Sequence, residues 1–247
     1  MTKQRETRER VLELIEPLSV GDAIPSERQL GLDLSVSRLT VRAALDELVR
    51  EGYLVRRRGA GTFVAEPKVA KGMDVTSFSD DMRARGLTPG SRTLDMREIP
   101  AGARLGRILH VSPSELVLAV KRLRLADGEP MAIELLHTRA SLVPGLTSSE
   151  LEVGSFYDLL SDRYGISIVG GTQTVEPTVT NEEESNALGV PLHSPALLFE
   201  RVTRSTEGDV VEFTSSTYRG DRYRLVTEIG VGGRPVQQLG VAGLDHF

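Results

Sequence analysis

The run from Ile24 to Val64 constrains the fold more than any other part of the 247-residue chain. Ser26 followed by Gln29 is a capping-box pattern, in which a hydroxyl and an amide satisfy unpaired N–H groups at a helix start. It predicts a short helix over 26–34 with Leu30 and Leu34 on one side, then a tight turn at Leu34-Ser35-Val36. The next helix is expected over 37–51, where Val41, Ala44, Leu45, Leu48 and Val49 fall at helical spacing and Gly52 stops it. Arg38, Leu39 and Arg42 lie on the other side of its N-terminal half. A hairpin follows: YLVRRR, the Gly59-Ala60-Gly61 turn, then TFV. Upstream, Val11, Leu12, Leu14, Ile15 and Leu18 give a first helix over 5–18, ended by Pro17 and the Gly21-Asp22 pair. Three short helices and a basic hairpin are the parts of a winged helix-turn-helix.

That assembly suits DNA. The second helix of a helix-turn-helix lies in the major groove and presents its N-terminal residues to base edges. Arg38 and Arg42 are one helical turn apart, and Arg reads guanine through a bidentate bond to O6 and N7. Ser37 and Thr40 can donate to phosphates without adding charge. Gly59, Ala60 and Gly61 leave a wing tip thin enough for the minor groove, flanked by Arg57 and Arg58. Taken singly, an Arg on a helix face is usually only solvated and a Gly-X-Gly hairpin usually only turns; the conjunction is far more specific. The formal net charge of -5 argues against DNA binding only if it is spread evenly. It is not: acids and bases balance over 1–66, and the rest of the chain carries the excess acid.

The length suits two domains. The expected division is a DNA-binding domain over 1–66, a linker over 67–74 without apolar period, and an effector-binding and dimerisation domain over 75–247. In the last part, helices are expected at 77–86, 102–109, 155–163 and 181–188, and strands at 91–99, 116–126, 130–139, 167–179, 196–206, 209–219 and 222–230. Asp127-Gly128 and Glu207-Gly208 are hairpin turns, so the sheet is antiparallel and the fold class α+β. KRLRLADGEPMAIE and ERVTRSTEGDVVE form a faint repeat, readable as a pseudo-symmetric sheet or as two unrelated hairpins.

Strand alternation places Leu118, Val120, Arg122 and Arg124 on one face, and Val210, Glu212, Thr214, Ser216 and Tyr218 on another. Two arginines continuing an apolar row need anionic partners. A phosphate, which accepts bidentate Arg bonds, would supply them; so would Glu134 or Glu200 as structural ion pairs across the sheet. Glu212 and Tyr218 could hydrogen-bond sugar hydroxyls or an amine. Ser155 opens a helix, either as an anion site or as an N-cap only.

The blocks PSER, SRLTVRxALxxLxxEG and RRxGxGTFV stand in an order and spacing that resemble the DNA-binding domain of the GntR regulators. The remainder resembles the UTRA effector domain of their HutC subfamily, whose fold is similar to chorismate lyase. Within it, TSFSDDMRARGLTP, VKRLRLADGEPMAIE, GSFYDLL and STYRGDRYR resemble the N-acetylglucosamine-utilisation repressors. The resemblance implies DNA contacts by Arg28, Ser37, Arg38, Thr40, Arg42, Arg57, Arg58, Gly59 and Gly61. It leaves Glu27 as an acid at a helix start. It further implies that Arg122, Arg124, Ser155 and Tyr157 hold the phosphate of an effector, with Ser77 and Phe78 nearby. Glu134, Glu212 and Tyr218 would face its sugar, and Tyr223 is a weaker candidate. The family usually carries Gly where this chain has Ser35.

An enzyme built on a Glu134/Glu212 acid–base pair is the competing class. Against it, His110, His137, His193 and His246 fall in no catalytic or metal-binding motif, no cysteine is present, and Gly170-Gly171 lacks the Lys-Ser/Thr of a phosphate loop. The expected protein is therefore not an enzyme and has no cofactor and no metal. It is a homodimeric repressor of palindromic operator DNA, controlled by a phosphorylated amino sugar such as glucosamine-6-phosphate or N-acetylglucosamine-6-phosphate. The alternative is the same architecture sensing another sugar phosphate or a non-sugar carboxylate. With no long apolar stretch and a charged N-terminus, no membrane association and a cytoplasmic location are expected.

Overall fold

The computed structural model describes residues 3–57, 59–65, 69–71 and 76–225. They fall into two compact units, one formed by residues up to 72 together with those from 220 onward, the other by 73–219.

In the first unit, α1 (Lys3–Ile15), α2 (Glu27–Asp33) and α3 (Arg38–Glu51) precede a hairpin of β1 (Leu54–Arg57) and β2 (Gly61–Val64). Ser26 caps α2 by accepting from the Gln29 backbone N–H. The reciprocal half of the capping box is not formed, because the Gln29 amide donates to Asp33 Oδ1 one turn on. Ser37 caps α3 through the Thr40 N–H, and Gly52 ends it in the left-handed conformation at φ 85°. Val11, Ile15, Leu30, Val41, Leu45, Leu48 and Leu54 close one core. The first helix stops at Ile15, short of the expected residue 18. A second small sheet pairs β3 (Val69–Lys71) in parallel with β10 (Tyr223–Leu225). Within the stretch 67–74, expected as a linker, residues 69–71 thus form a strand; three strand residues are too few to display an apolar period. Of the strand expected over 222–230, residues beyond 225 lie outside the described ones.

The second unit is one antiparallel sheet of order β4-β5-β6-β9-β8-β7, with helices on both faces. Its elements run α4 (Phe78–Ala84), β4 (Pro89–Pro100), α5 (Gly102–Leu109), β5 (Leu116–Ala126), β6 (Glu129–Arg139), α6 (Ser148–Val153), α7 (Phe156–Tyr164), β7 (Ile168–Val179), α8 (Glu182–Leu188), β8 (Pro195–Ser205) and β9 (Val210–Arg219). The order resolves the faint repeat. Strand β4, helix α5 and the β5–β6 hairpin recur as β7, α8 and the β8–β9 hairpin, related by a pseudo-two-fold axis at the central β6–β9 pair. Under it Arg122 of β5 corresponds to Arg201 of β8. Gly170-Gly171 belongs to the sheet: a Cβ on Gly171 would lie 2.3 Å from the Val202 carbonyl oxygen, so glycine there permits close approach of β8.

Register fixes which side chains share a face. Arg122 lies opposite Glu134, Glu134 opposite Ser216, and Ser216 opposite Phe199. At one end of this face Leu118, Val120, Leu136 and Val211 pack with Leu151, Phe156 and Leu160 of α6 and α7. On the other face α5 covers Val117 and Phe213, and α8 covers Leu123 and Ile133. Val210 was expected beside Glu212. The β8–β9 register slips between Thr203 and Arg204, and this bulge turns Val210 to the α5 side and Val211 to the α7 side. Among the described residues, no helix is long and apolar enough to cross a membrane.

Candidate effector site and nucleic-acid interface

The polar end of the α7-covered face carries the candidate effector site. Arg122 and Arg124 follow Leu118 and Val120 along β5, and each is only 3% exposed. Arg122 takes the structural partner available to it: Nε donates to Glu134 Oε1 at 2.9 Å, and Nη2 meets the same oxygen. Its Nη1 has no hydrogen-bond partner among the described residues. Arg124 has no carboxylate against it. It donates weakly to the hydroxyls of Ser91 and Ser79, both at 3.3 Å, its Cζ lies 4.5 Å from the centre of the Phe78 ring, and its Nε is orphaned. Burial, with the Arg122 charge adding to it, lowers the Arg124 pKa to about 10. Glu200, the other partner considered for these arginines, sits on the opposite face and pairs with Arg104 at 2.9 Å.

Around the arginines stand the other expected residues. Tyr157, near the start of α7, donates to Glu212 Oε1 at 2.6 Å. Burial pushes Glu212 up to about 6, opposed by the Tyr157 hydrogen bond and reinforced by the Glu134 charge. Burial alone would raise Glu134 as well, but Arg122 and Arg124 outweigh it and hold this carboxyl below its ordinary value. Tyr218 lies edge-on to Phe199 with ring centres 5.0 Å apart, and 6.5 Å from Phe78. Ser77 and Ser155 are the N-caps of α4 and α7; each hydroxyl accepts from backbone N–H groups, and Ser77 also donates to Asp80. Tyr223 belongs to the other unit.

The structure adds Arg201 and Gln173. Arg201 donates through Nε and Nη2 to Gln173 Oε1 at 2.9 and 2.7 Å, and through Nη1 to the Thr76 carbonyl at 2.9 Å and the Tyr157 hydroxyl at 3.3 Å. Burial disfavours its charge, yet Tyr157 and Glu212 outweigh this and raise its pKa. The signal for it was in the sequence: the repeat aligns Arg201 with Arg122. Where Arg122 faces Glu134, Arg201 faces Thr214, so it has no carboxylate across the strand and binds neutral acceptors instead. Two buried guanidinium groups, with that of half-buried Arg201 beside them, thus face two carboxylates, Glu134 and Glu212; a third carboxylate, Asp81 of α4, pairs with Arg85. The arrangement stores positive charge for an anion and holds acceptors beside it. Among the described residues no cluster of His, Cys, Asp and Glu could hold a metal.

In the first unit, Ser37, Arg38, Thr40 and Arg42 gather at the N-terminal end of α3, and Arg28 lies exposed on α2. Arg38 and Arg28 make no hydrogen bond or ion pair with the described residues. Arg42 is held instead: its Nε and Nη2 clamp Glu27 at 2.7–3.2 Å, and the bond raises the Arg42 pKa and lowers that of Glu27. Glu27 is therefore more than an acid at a helix start. It ties α2 to α3 and sets the direction of Arg42. Ser37 and Thr40 share a 2.8 Å hydroxyl bond. Arg57 lies over the Phe63 ring at 4.7 Å, at the base of the exposed turn through Gly59 and Gly61; Arg58 lies outside the described residues.

A winged helix-turn-helix followed by an antiparallel sheet domain with buried cationic groups is the make-up of a DNA-binding transcription regulator. Residues 3–64 match the family described as bacterial regulatory proteins, gntR family, and residues 84–224 match the UTRA domain. The chain is 40% identical over 204 residues to the HTH-type transcriptional repressor NagR of Bacillus subtilis, covering 82% of this chain and 84% of that one. It is 30% identical to a histidine utilization repressor of Pseudomonas putida, covering 82% and 81%. The crystal structure of PhnF from Mycobacterium smegmatis superposes with a TM-score of 0.64 at 27% identity, covering 91% of this chain and 99% of that one. The chain belongs to the GntR family of regulators that carry a UTRA domain. It is a DNA-binding transcriptional repressor and not an enzyme.

Proposed function

We propose that this repressor is controlled by a phosphorylated amino sugar, such as glucosamine-6-phosphate or N-acetylglucosamine-6-phosphate, bound on the polar face of the UTRA sheet. The observation that carries the reading is Arg124: a buried guanidinium with an orphaned Nε, two long hydroxyl contacts and no carboxylate. A buried charge without an opposite one is costly, and a phosphate relieves that cost with charge-assisted bonds. Arg124 and the orphaned Nη1 of Arg122 take the phosphate, with Ser77, Phe78, Ser155 and Tyr157 around it. Glu134, Glu212 and Tyr218 accept from, and donate to, the hydroxyls and amine of the sugar. Because both arginines are nearly inaccessible, the effector enters only when their cover shifts, and the α4 cover includes Phe78 and Ser79. On the DNA side, α3 is the reading helix. Arg38 and Arg42 face bases, Arg28, Ser37 and Thr40 face the backbone, and Arg57 to Gly61 form the wing tip. The working form is a homodimer on a palindrome, since half-site symmetry mirrors protein symmetry.

The test is a thermal-shift series with the purified full chain. A ligand that binds the native state alone raises the melting temperature by mass action. Glucosamine-6-phosphate is expected to raise it and glucosamine to leave it unchanged. A rise with organic carboxylic acids and none with sugar phosphates would replace this reading by a carboxylate sensor.

A further inference from the structure

Helix α3 buries Val41, Ala44, Leu45 and Leu48 on one side. The centre of the opposite side, by helical spacing, falls on Leu39, with Ala43 one turn on and Arg38 and Arg42 beside them. Leu39 is 77% exposed, more than any other large apolar side chain described in its unit, and the core does not include it. The chain thus places a bare aliphatic group, with the small Ala43 one turn on, on the exposed side of the helix beside the arginines offered to base edges. In the major groove only one base edge is apolar: the C5 methyl of thymine.

We infer that Leu39 is a specificity residue that reads thymine through its methyl group, at a base pair next to the guanine bound by Arg38. The inference rests on the reading of α3 as the DNA-reading helix. Leu39 lies close to Arg38 in the first turn, so the thymine falls within one or two base pairs of that guanine. Arg42 is already committed to Glu27, which leaves Leu39 and Arg38 as the less encumbered readers on this side. A phosphate cannot be the target of a side chain without polar atoms, so Leu39 contributes discrimination rather than salt-dependent affinity.

The experiment starts from an operator selected by the full-length protein out of a random duplex library. Each thymine is then replaced by deoxyuridine, which removes the methyl and nothing else. At one thymine in each half-site the wild type is expected to lose about fourfold in affinity, the value of one buried methyl group. Leu39→Ala, which removes no side chain of the core, should bind the thymine operator more weakly and be indifferent to that replacement. A deoxyuridine penalty that persists in Leu39→Ala at every position, or no penalty anywhere, overturns the inference. Arg38→Ala keeps the two levels apart. If it retains sequence-specific affinity, the assignment of α3 itself is wrong. If it loses that affinity while Leu39→Ala leaves every deoxyuridine penalty intact, only the role of Leu39 falls.

Discussion

Glu212 lies buried and accepts from Tyr157, and its pKa of about 6 stands above the ordinary 4.5. A carboxyl whose pKa is raised by folding binds its proton more tightly in the native state. Its contribution to stability is complete below the unfolded pKa and is lost as pH rises through the folded one. The window is therefore about pH 4.5 to 6, and the loss about 2 kcal/mol. Glu134, held low by Arg122 and Arg124, acts in the opposite sense below its unfolded pKa. The Glu212 share is isolated by comparison with Glu212→Gln, which cannot titrate. The stability of wild type relative to this variant, from urea unfolding, is expected to fall by about that amount between pH 4.5 and pH 7. A difference independent of pH would show that Glu212 ionises like an exposed carboxyl. At this scale the sequence was informative where strand alternation runs unbroken. Arg122, Arg124 and Glu134 share a face as the pattern requires. Arg201 escaped because its neighbours Val202 and Thr203 look like any half-buried strand, and only the repeat distinguishes it. The partners of Arg42 and Arg122 depend on contacts across helices and strands that no local pattern encodes.

The elements of the sheet unit were the most legible part of the chain. Both Asp/Glu-Gly turns sit where hairpins form, and strands β5 and β6 begin and end within a residue of expectation. Helix α6 was missed although Thr147 and Glu150 spell its capping box, because six residues show too little periodicity to outweigh a loop. The Val210 bulge was missed because alternation assumes a regular ladder. In the DNA-binding unit the telling element is the turn between α2 and α3. Ser35 adopts φ 55°, the left-handed region that an L side chain with a Cβ enters at a cost of about 1–2 kcal/mol. Glycine enters it freely but loses more entropy on folding, by about 0.4–1 kcal/mol. Ser35→Gly is thus expected to stabilise the winged helix by about 0.5–1 kcal/mol. The measurable sign is amide exchange of the α2 and α3 core slowed about two- to fivefold, with exchange in the β-sheet unit unchanged. Unchanged or faster exchange would mean that the Ser35 hydroxyl stabilises the turn by more than its strain costs.

For the molecule as a whole, the two candidate sites belong to different compact units, so lesions in one should leave the other's intrinsic affinity intact. Arg38→Ala is expected to abolish specific operator binding while glucosamine-6-phosphate still raises the melting temperature by the wild-type amount. Arg124→Gln keeps a polar but shorter side chain and removes the charge, and is expected to bind operator as the wild type does while the sugar phosphate no longer releases it. Coupling between the sites is a free energy and is reciprocal, typically about 5–150-fold in affinity. If the effector weakens operator binding by some factor, saturating operator must weaken effector binding by the same factor. Titrating the effector into wild-type protein with and without operator, and into Arg38→Ala, closes this cycle. Arg38→Ala should show the effector affinity of the free wild type at every operator concentration. An effector affinity that is unaffected by operator in the wild type would mean that the sugar phosphate, even if it binds, does not control repression.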